Sequence, residues 1–542
     1  MRCDDGMAFD LAPSVPGRRR DGTGSVVVGV GPLDDLDVVY VARDGAGVRL
    51  GDDALEAMTR SRAVIDALAA DDAAHYGIST GFGALATLRI PPERRRQLQR
   101  SLVRSHAAGT GAEVEREVVR ALMLLRLSTM ATGRTGVRPS TALAYAAMLD
   151  AGITPVVHEY GSLGCSGDLA PLAHVALALL GEGPVRDADG ELLPAAQALA
   201  EAGLAPVELA EKEGLALVNG TDGMLGMLVL ALHDLRLLLT TADLAAALSV
   251  EALLGTAAVF AADLQALRPH PGQAASAANL RALLAGSEVA GARVEAGRNP
   301  GTPFTRVQDA YSLRCAPQVH GAARDTLDHA ASVAGRELAA AVDNPVVTLD
   351  GRVESNGNFH GAPVGYVLDF LAIAAADVAA MSERRTDRFL DVARNHGLPP
   401  FLAGEPGVDS GLMIAQYTAA GIVAELKRLA APASVDTIPS SALQEDHVSM
   451  GWAAARKLRR SVDGLARVLA VEVLTATRAL ELRSPACPAP ATGAVLAAVR
   501  ALGVPGPGPD RFLAPEIETV VDAVRAGWLV DAAQAAAGRP LL

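Results

Sequence analysis

Cysteine is scarce in this sequence. The four cysteines among 542 residues lie far apart, at Cys3, Cys165, Cys315 and Cys487, and no two form a CxxC pair. This spacing argues against a disulfide framework and against a structural zinc site. No other cluster of metal-ligating residue types is apparent, so we predict that no metal is required. Few and isolated cysteines are typical of a reducing compartment, and we expect a cytoplasmic protein.

Basic residues and long apolar runs are also in short supply. Lys and Arg number 48 against 62 Asp and Glu, which gives a formal net charge of −14. Binding to DNA or to an anionic membrane depends on clustered Lys and Arg, so this balance argues against both partners. No charge-free apolar run reaches the roughly 18 residues needed to cross a bilayer, and the first residues do not resemble a signal peptide. We therefore expect a soluble protein.

Apolar residues with helical spacing fill most of the chain, since half of all residues are hydrophobic. The stretch 223–267 is apolar nearly all round, which predicts a helix buried in a large body or in an oligomer core. The spacing predicts further helices at 55–68, 118–130, 326–341, 364–390, 411–431 and 447–479. Short strands are predicted at 26–30 and 38–41. No ladder of alternating strands and helices indicates a Rossmann-type sheet.

These patterns predict a mainly α protein built around a long central helical bundle. We expect a disordered leader at 1–25 and a mixed N-terminal domain at 26–222. A central bundle of long helices at 223–480 would form the core of an oligomer. A helical C-terminal cap, interrupted by prolines, would follow at 481–542.

Four glycine-rich or acidic segments interrupt the helices, and function tends to lie on such loops. Residues 76–83 (YGISTGFG) are turn-prone but lack the Gly-Lys-Ser/Thr of a phosphate loop. Residues 161–172 (GSLGCSGDLAPL) are not the GxSxG of hydrolases, and their plainest interpretation is a tight turn before a helix capped by Asp168. Residues 211–222 (EKEGLALVNGTD) contain an Asn-Gly turn. Residues 444–447 (QEDH) are typical of an acidic helix N-terminus.

Together these segments resemble one family, the aromatic amino-acid ammonia-lyases, over about residues 26–525. Within that family the sequence is similar to the histidine-specific bacterial members, especially those of actinobacterial type. Three further motifs carry the resemblance: SHAAGTG at 105–111, QDAYSLRCAPQ at 308–318 and ESNGNFHG at 354–361. The fourth segment extends to QEDHVSMG at 444–451. Chance agreement at all of these motifs in order is negligible.

The resemblance implies an electrophile made from the backbone itself. In this family a residue-Ser-Gly triplet cyclises without a helper enzyme, two waters leave, and a 4-methylidene-imidazol-5-one ring remains. The matching triplet here is Cys165-Ser166-Gly167. Ser166 must lose its hydroxyl, and Gly167 suits the attacking position because glycine allows close backbone approach. Many members carry alanine where this chain has Cys165, so the role of the thiol stays open.

The resemblance also assigns residues to the substrate. Tyr76 matches the lid tyrosine that would act as the base. Arg314 matches the residue that pairs with the substrate carboxylate, for which the planar guanidinium is well suited. The other matched residues hydrogen-bond the ring, orient the substrate or pack near the ring: Asn219, Gln308, Tyr311 and Phe359.

Two positions favour histidine as the substrate. Glu445 lies where the phenylalanine- and tyrosine-specific relatives usually carry glutamine, and a carboxylate can accept a hydrogen bond from imidazole. His106, after the small polar Ser105, occupies the specificity pair of the family, although a lone histidine is more often structural. The implied reaction is the non-oxidative elimination of ammonia from L-histidine to give trans-urocanate, in a homotetramer with shared active sites.

Three alternatives stay open. An aminomutase on the same scaffold would make β-histidine, and a phenylalanine or tyrosine ammonia-lyase would lack a use for Glu445. A catalytically silent helical scaffold would not need Ser166.

The residues before 26 and the segment 291–305 depart from the family pattern. The latter lies ahead of Gln308 and is a candidate for altering a loop near the active site.

Overall fold

The computed structural model describes residues 24–290 and 307–542. Nineteen α-helices and nine short strands lie within these ranges. The prediction of a mainly α protein is therefore confirmed. The predicted leader, apart from residues 24 and 25, and the segment 291–305 lie outside the described residues.

The helices in the described ranges are α1 Asp35–Val39, α2 Asp52–Ala70, α3 Arg95–His106, α4 Arg116–Ala131, α5 Pro139–Asp150, α6 Leu169–Leu179, α7 Ala195–Glu201, α8 Glu213–Val218, α9 Asp222–Ala252, α10 Ala262–Ala266, α11 Pro271–Leu283, α12 Tyr311–Arg314, α13 Ala316–Leu338, α14 Ala362–Leu390, α15 Met413–Leu429, α16 Gly451–Glu481, α17 Pro490–Ala501, α18 Ala514–Arg525 and α19 Trp528–Ala537. The strands are β1 Val26–Val28, β2 Val48–Leu50, β3 Thr110–Glu113, β4 Thr154–Pro155, β5 His158–Tyr160, β6 Pro184–Arg186, β7 Leu192–Pro194, β8 Val346–Val347 and β9 Val353–Glu354.

The centre of the molecule is a bundle of α9, α13, α14 and α16. In this bundle α16 packs along α14 and α9, and α13 packs against α9 and α14. α9 is buried nearly all round, as its apolar sequence predicts. The prediction of one apolar helix to residue 267 is too long, because Leu254 takes a left-handed φ of 55° and the chain turns.

Two helices in the described ranges, α9 and α14, are long and apolar enough to cross a bilayer. Length and composition alone do not separate such a span from a core helix. In α9, 72% of the most apolar window is buried inside the fold, and in α14 the share is 61%. Both helices thus pack as core helices of the bundle.

The strands form small ladders outside the bundle. β1 and β2 pair in parallel, while β3 with β5, β4 with β6 and β7, and β8 with β9 pair antiparallel. The predicted strand at 38–41 is wrong, because these residues lie in α1 and the π-helical turn that follows it. Asp34 and Asp37 form a capping box at the start of α1, which fixes a helix despite the β-branched Val38 and Val39.

Candidate active site

The triplet Cys165-Ser166-Gly167 lies against the Asn-Gly turn that precedes α9. Gly167 forms a parallel bridge with Gly220, and the next N–H, of Asp168, donates to Gly220 O at 2.7 Å. Gly167 has a left-handed φ of 79°, and a Cβ at this position would overlap Gly220 O. Only glycine satisfies both conditions. Two loops more than fifty residues apart in sequence therefore form one surface.

Asp168 joins this surface to the central bundle. Its carboxylate accepts hydrogen bonds from Gly223 N–H at 3.0 Å, Met224 N–H at 2.9 Å and Ser162 Oγ at 2.9 Å. The prediction that Asp168 caps its own helix is wrong: its side chain makes no cap bond to α6 and instead caps α9. Complete burial raises the pKa of Asp168 to about 7, against the lowering effect of these hydrogen bonds.

Asp168 is expected to make stability fall as the pH rises. Its carboxyl has a pKa of about 7 in the folded chain against 3.8 as the ordinary value, so between these values the folded chain holds the extra proton. The contribution to the free energy of unfolding therefore decreases from about pH 4 to about pH 7 and is constant above. Asp168→Asn should remove this contribution, which urea midpoints at both ends of the window measure. An unchanged midpoint difference in the variant would contradict the assignment.

The segments before α14 and α16 form hydrogen bonds with the two residues that precede the triplet, Leu163 and Gly164. Ser449 Oγ donates to Gly164 O at 2.8 Å, and Met450 N–H donates to Leu163 O at 2.9 Å. Gly361 N–H donates to Gly164 O at 3.3 Å. Phe359, which sequence comparison assigns to the ring, precedes Gly361 by two residues and is half-buried. The loops with the ESNGNFHG and QEDHVSMG motifs thus both contact the residues that directly precede the triplet.

Glu445 faces the triplet directly. Ser166 Oγ donates to Glu445 Oε1 at 3.2 Å, and Ser440 Oγ donates to Oε2 at 2.7 Å. The interpretation of residues 444–447 as a helix N-terminus is wrong, because α16 begins only at Gly451. Glu445 therefore accepts hydrogen bonds from two serines in loops and does not lie at a helix N-terminus.

The Cys165 side chain is buried beside Glu445. Burial, followed by the negative charge of Glu445, raises the pKa of the Cys165 thiol to about 12. A thiol with this pKa is protonated at neutral pH and is a poor nucleophile. Cys165 is therefore a small, neutral member of the triplet.

Cys165 is expected to resist alkylation in the folded protein. Iodoacetamide reacts with the thiolate, so the exposed Cys487 should be modified at least about ten times faster than the buried, protonated Cys165. Peptide mass mapping after timed alkylation measures both rates. Denaturation in urea should make the two rates similar, whereas rapid labelling of Cys165 in the native protein would contradict its burial.

His106 ends α3 on the same side of the molecule. Burial lowers the pKa of His106, and the charge of Glu445 opposes this only in part. Ser105 Oγ lies 3.1 Å from His106 Nδ1. The predicted specificity pair is thus a neutral imidazole with a hydroxyl beside it, within the electrostatic influence of Glu445.

The loop with Tyr76 contacts the segment that carries Glu445. Gly83 N–H donates to the Tyr76 hydroxyl at 3.3 Å, which closes the loop on itself. The turn Gly83–Leu85 packs against the turn Ser441–Leu443. The structure therefore brings the loop of Tyr76 to the side of the chain where the triplet lies.

Asn219 is held from behind by buried groups. Its Nδ2 donates to Asn344 O at 2.9 Å, and Arg126 donates to its backbone carbonyl at 2.8 Å. Beside them Lys212 and Asp343 form a fully buried ion pair. Sequence reasoning missed this pair: Lys212 stands in a recognised motif, but no pattern indicates a partner 131 residues away.

Three predicted site residues lie elsewhere: Gln308, Tyr311 and Arg314. Tyr311 is exposed, and the Arg314 guanidinium stacks over its ring at 4.7 Å. The Asp309 carboxylate accepts from Thr256 N–H at 2.8 Å, which places this segment past the C-terminal end of α9. The triplet lies at the N-terminal end of α9, which has 31 residues. At about 1.5 Å per residue the two groups are roughly 45 Å apart in one chain.

Known proteins are similar to this chain in sequence and in fold. The family model described as aromatic amino acid lyase matches residues 33–501. A histidine ammonia-lyase from Streptomyces coelicolor is 65% identical over 514 residues, which cover 95% of this chain and 99% of the relative.

Two solved structures extend the likeness to the fold. The tyrosine aminomutase from Streptomyces globisporus has a TM-score of 0.89 at 38% identity, covering 96% of this chain and all of the other. The histidine ammonia-lyase from Trypanosoma cruzi has a TM-score of 0.85 at 36% identity, covering 94% and 95%. The prediction of a carbon–nitrogen lyase is confirmed. This chain belongs to the aromatic amino acid lyase family.

Proposed function

We propose that this enzyme eliminates ammonia from L-histidine and releases trans-urocanate. The observation that carries the proposal is the Glu445 carboxylate, which lies 3.2 Å from the Ser166 hydroxyl. A carboxylate at this point accepts a hydrogen bond from the imidazole of histidine and stabilises its charge, an interaction that phenylalanine cannot make. The relatives named histidine ammonia-lyase support the same substrate.

The proposed electrophile is the 4-methylidene-imidazol-5-one ring made from Cys165-Ser166-Gly167. The residues around the triplet fit this group. Gly167 already lies in a left-handed conformation against Gly220, where a Cβ has no room, and Asn219 has a buried Oδ1 that nothing in the described part of the chain bonds. When formed, the ring supplies an electron sink that no ordinary side chain offers. The proposal invokes no metal, and no group of metal-ligating residues occurs within 24–290 and 307–542.

The side chains divide the remaining work. Arg314 pairs with the histidine carboxylate, since its planar fork binds two oxygens at once. Tyr76, on the lid, takes the β-proton as the base. Gln308 and Tyr311 orient the substrate, and Asn219 hydrogen-bonds at the triplet. Preorganised groups of this kind stabilise charge that develops only in the transition state.

The separation of the two residue groups supports a shared active site. Within one chain Arg314 and Tyr311 lie past one end of α9, and Ser166 and Glu445 lie at the other. A bound histidine is far too short to bridge roughly 45 Å. We therefore propose that each active site combines the triplet of one subunit with the segment around Arg314 of another, in a homotetramer.

Exposed apolar faces on the long helices support assembly. Tyr366, Phe370 and Ile373 follow one another at helical spacing on α14, and each is about half exposed. On α15, Ile414 and Tyr417 repeat the pattern. Contiguous apolar surface of this kind is typical of an interface between subunits.

We also propose that the enzyme works in the cytoplasm with a small molecule as its partner, without nucleic acid or membrane. The acidic net charge of −14 supports this partner class. The scarcity and wide spacing of cysteine in the sequence support a reducing compartment.

A second candidate is an aminomutase that returns ammonia to the β-carbon and makes β-histidine. The structural likeness to a tyrosine aminomutase supports this candidate. It needs the same triplet and differs in how long the lid retains the products.

Incubation with L-histidine separates the two candidates. We expect ultraviolet absorbance from urocanate, with one ammonia released per urocanate. β-Histidine as the main product would establish the aminomutase. Turnover of tyrosine or phenylalanine but not of histidine would overturn the assignment of Glu445.

A further inference from the structure

A buried ion pair lies directly behind Asn219. Lys212 Nζ donates to Asp343 Oδ2 at 2.7 Å, and both side chains are fully buried. The Lys212 backbone has a left-handed φ of 68°, which is uncommon for a residue other than glycine. An ion pair removed from water adds little stability compared with well-packed apolar side chains. Stability alone therefore does not account for this pair.

The pair connects to Asn219 through Asn344. Asp343 Oδ1 accepts from Asn344 N–H at 2.7 Å, and Asn344 O accepts from Asn219 Nδ2 at 2.9 Å. Asn356 fixes the same segment, because its N–H donates to Asn344 Oδ1 and its Nδ2 to Asp343 O, both at 3.0 Å. Arg126 completes the frame with bonds to the carbonyls of Asn219 and of the residue before Asp343.

These hydrogen bonds fix the orientation of the Asn219 amide, that is, which position its NH2 group takes and which its oxygen takes. A carbonyl oxygen only accepts, so the NH2 group of Asn219 must point at Asn344 O. The buried Oδ1 is then left as an acceptor, and nothing in ranges 24–290 and 307–542 donates to it. A rotated amide would replace this acceptor with the two N–H donors of the NH2 group.

We propose that Lys212 and Asp343 are positioning residues for the elimination, acting as an ion pair that holds Asn344 and thereby fixes the orientation of the Asn219 amide. The side-chain hydrogen bonds that the structure records for the pair go to each other and to Asn344 N–H. The pair thus acts through Asn219 and not on the substrate. This inference rests on the proposed function, in which Asn219 serves the reaction at the triplet.

A mutant cycle distinguishes positioning from a purely structural role. The variants are Asn219→Ala, the charge-free pair Lys212→Met with Asp343→Asn, and all three changes together. Both charges are removed at once because a lone buried charge is strongly destabilising. We expect the pair variant to lower kcat about 10- to 100-fold, as misplacement of a catalytic group does, with KM for histidine within about twofold.

The triple variant gives the decisive comparison. If the pair acts through Asn219, the triple variant is no slower than Asn219→Ala alone. Multiplied losses in kcat would overturn the inference, since they would show that the pair acts independently of Asn219. The matched control is the charge-free pair Lys457→Met with Asp369→Asn, because Lys457 pairs with the buried Asp369 at 2.6 Å and has no bond to Asn219. An equal loss of kcat in that control would also overturn the inference.

Intact mass separates failure of this inference from failure of the proposed function. The pair variant should lose two waters, as the wild type does, because its triplet still cyclises. A pair variant that keeps the full sequence mass beside a cyclised wild type would overturn positioning in favour of a role in maturation. A wild type that keeps its full mass would overturn the proposed function itself, and the inference with it.

Discussion

Replacing Ser166 with alanine is expected to lower urocanate formation by at least about three orders of magnitude, because the proposed electrophile takes its exocyclic carbon from this side chain and loses the hydroxyl that alanine lacks. The fold should be unaffected, since Ser166 Oγ makes one described hydrogen bond, to Glu445. Absorbance of urocanate under saturating histidine measures the rate. Circular dichroism reports whether the helices persist.

Ser410→Ala is a suitable control for this substitution. Ser410 is an exposed serine before α15 whose backbone N–H donates to Asp510 in the C-terminal segment, and its replacement should leave the rate unchanged. Substantial urocanate formation by Ser166→Ala would contradict an electrophile at 165–167. It would direct attention to a mechanism without the ring.

Mixing two inactive variants is expected to restore activity. Ser166→Ala and Arg314→Ala each change one of the two groups that we propose to form the site, and the two groups lie roughly 45 Å apart along α9 in one chain. If every site takes its triplet and its Arg314 from different subunits, random assembly leaves about a quarter of the sites intact. Unfolding and refolding the two variants together, followed by the histidine assay, measures the recovery.

A second mixture supplies the control. Ser166 and Glu445 are hydrogen-bonded within one chain, so mixing Ser166→Ala with Glu445→Ala should restore nothing. Recovery in both mixtures, or in neither, would contradict the division of the site between subunits. Recovery only with Arg314→Ala would support it.

Local patterns predicted the helices well because the spacing of apolar residues in a helix is visible within a short stretch of sequence. α4, α14 and α15 begin and end within two residues of the predicted ranges. The predictions are wrong where the local structure depends on a distant residue or on a polar side chain. Val38 and Val39 read as a strand, yet a capping box begun by Asp34 makes them helical. α9 ends early because Leu254 adopts a left-handed turn.

The site was predictable only so far as its motifs are contiguous. The resemblance assigned the triplet and the loop of Tyr76 to the candidate site, but it gave no indication of the partners of Asp168 and Glu445. Asp168 caps a helix that starts 54 residues later, and Glu445 bonds a serine 279 residues earlier. Contacts of this range depend on tertiary packing and leave no periodic pattern in the sequence.

The pair Lys212 and Asp343 illustrates the same limit. Lys212 stands between two glutamates, and this local pattern contains no sign of the distant Asp343, against which the structure buries it completely. The separation of Arg314 from Ser166 was equally hidden, because sequence motifs carry no distance. Both features became visible only with the chain folded.

The most direct test of the account is the intact mass of the purified wild-type protein. We predict a mass lower than that of the sequence by two water molecules, with the loss confined to the peptide that contains Cys165-Ser166-Gly167. A chain that has the full sequence mass and still converts L-histidine into urocanate would contradict the central claim that the electrophile is made from its own backbone.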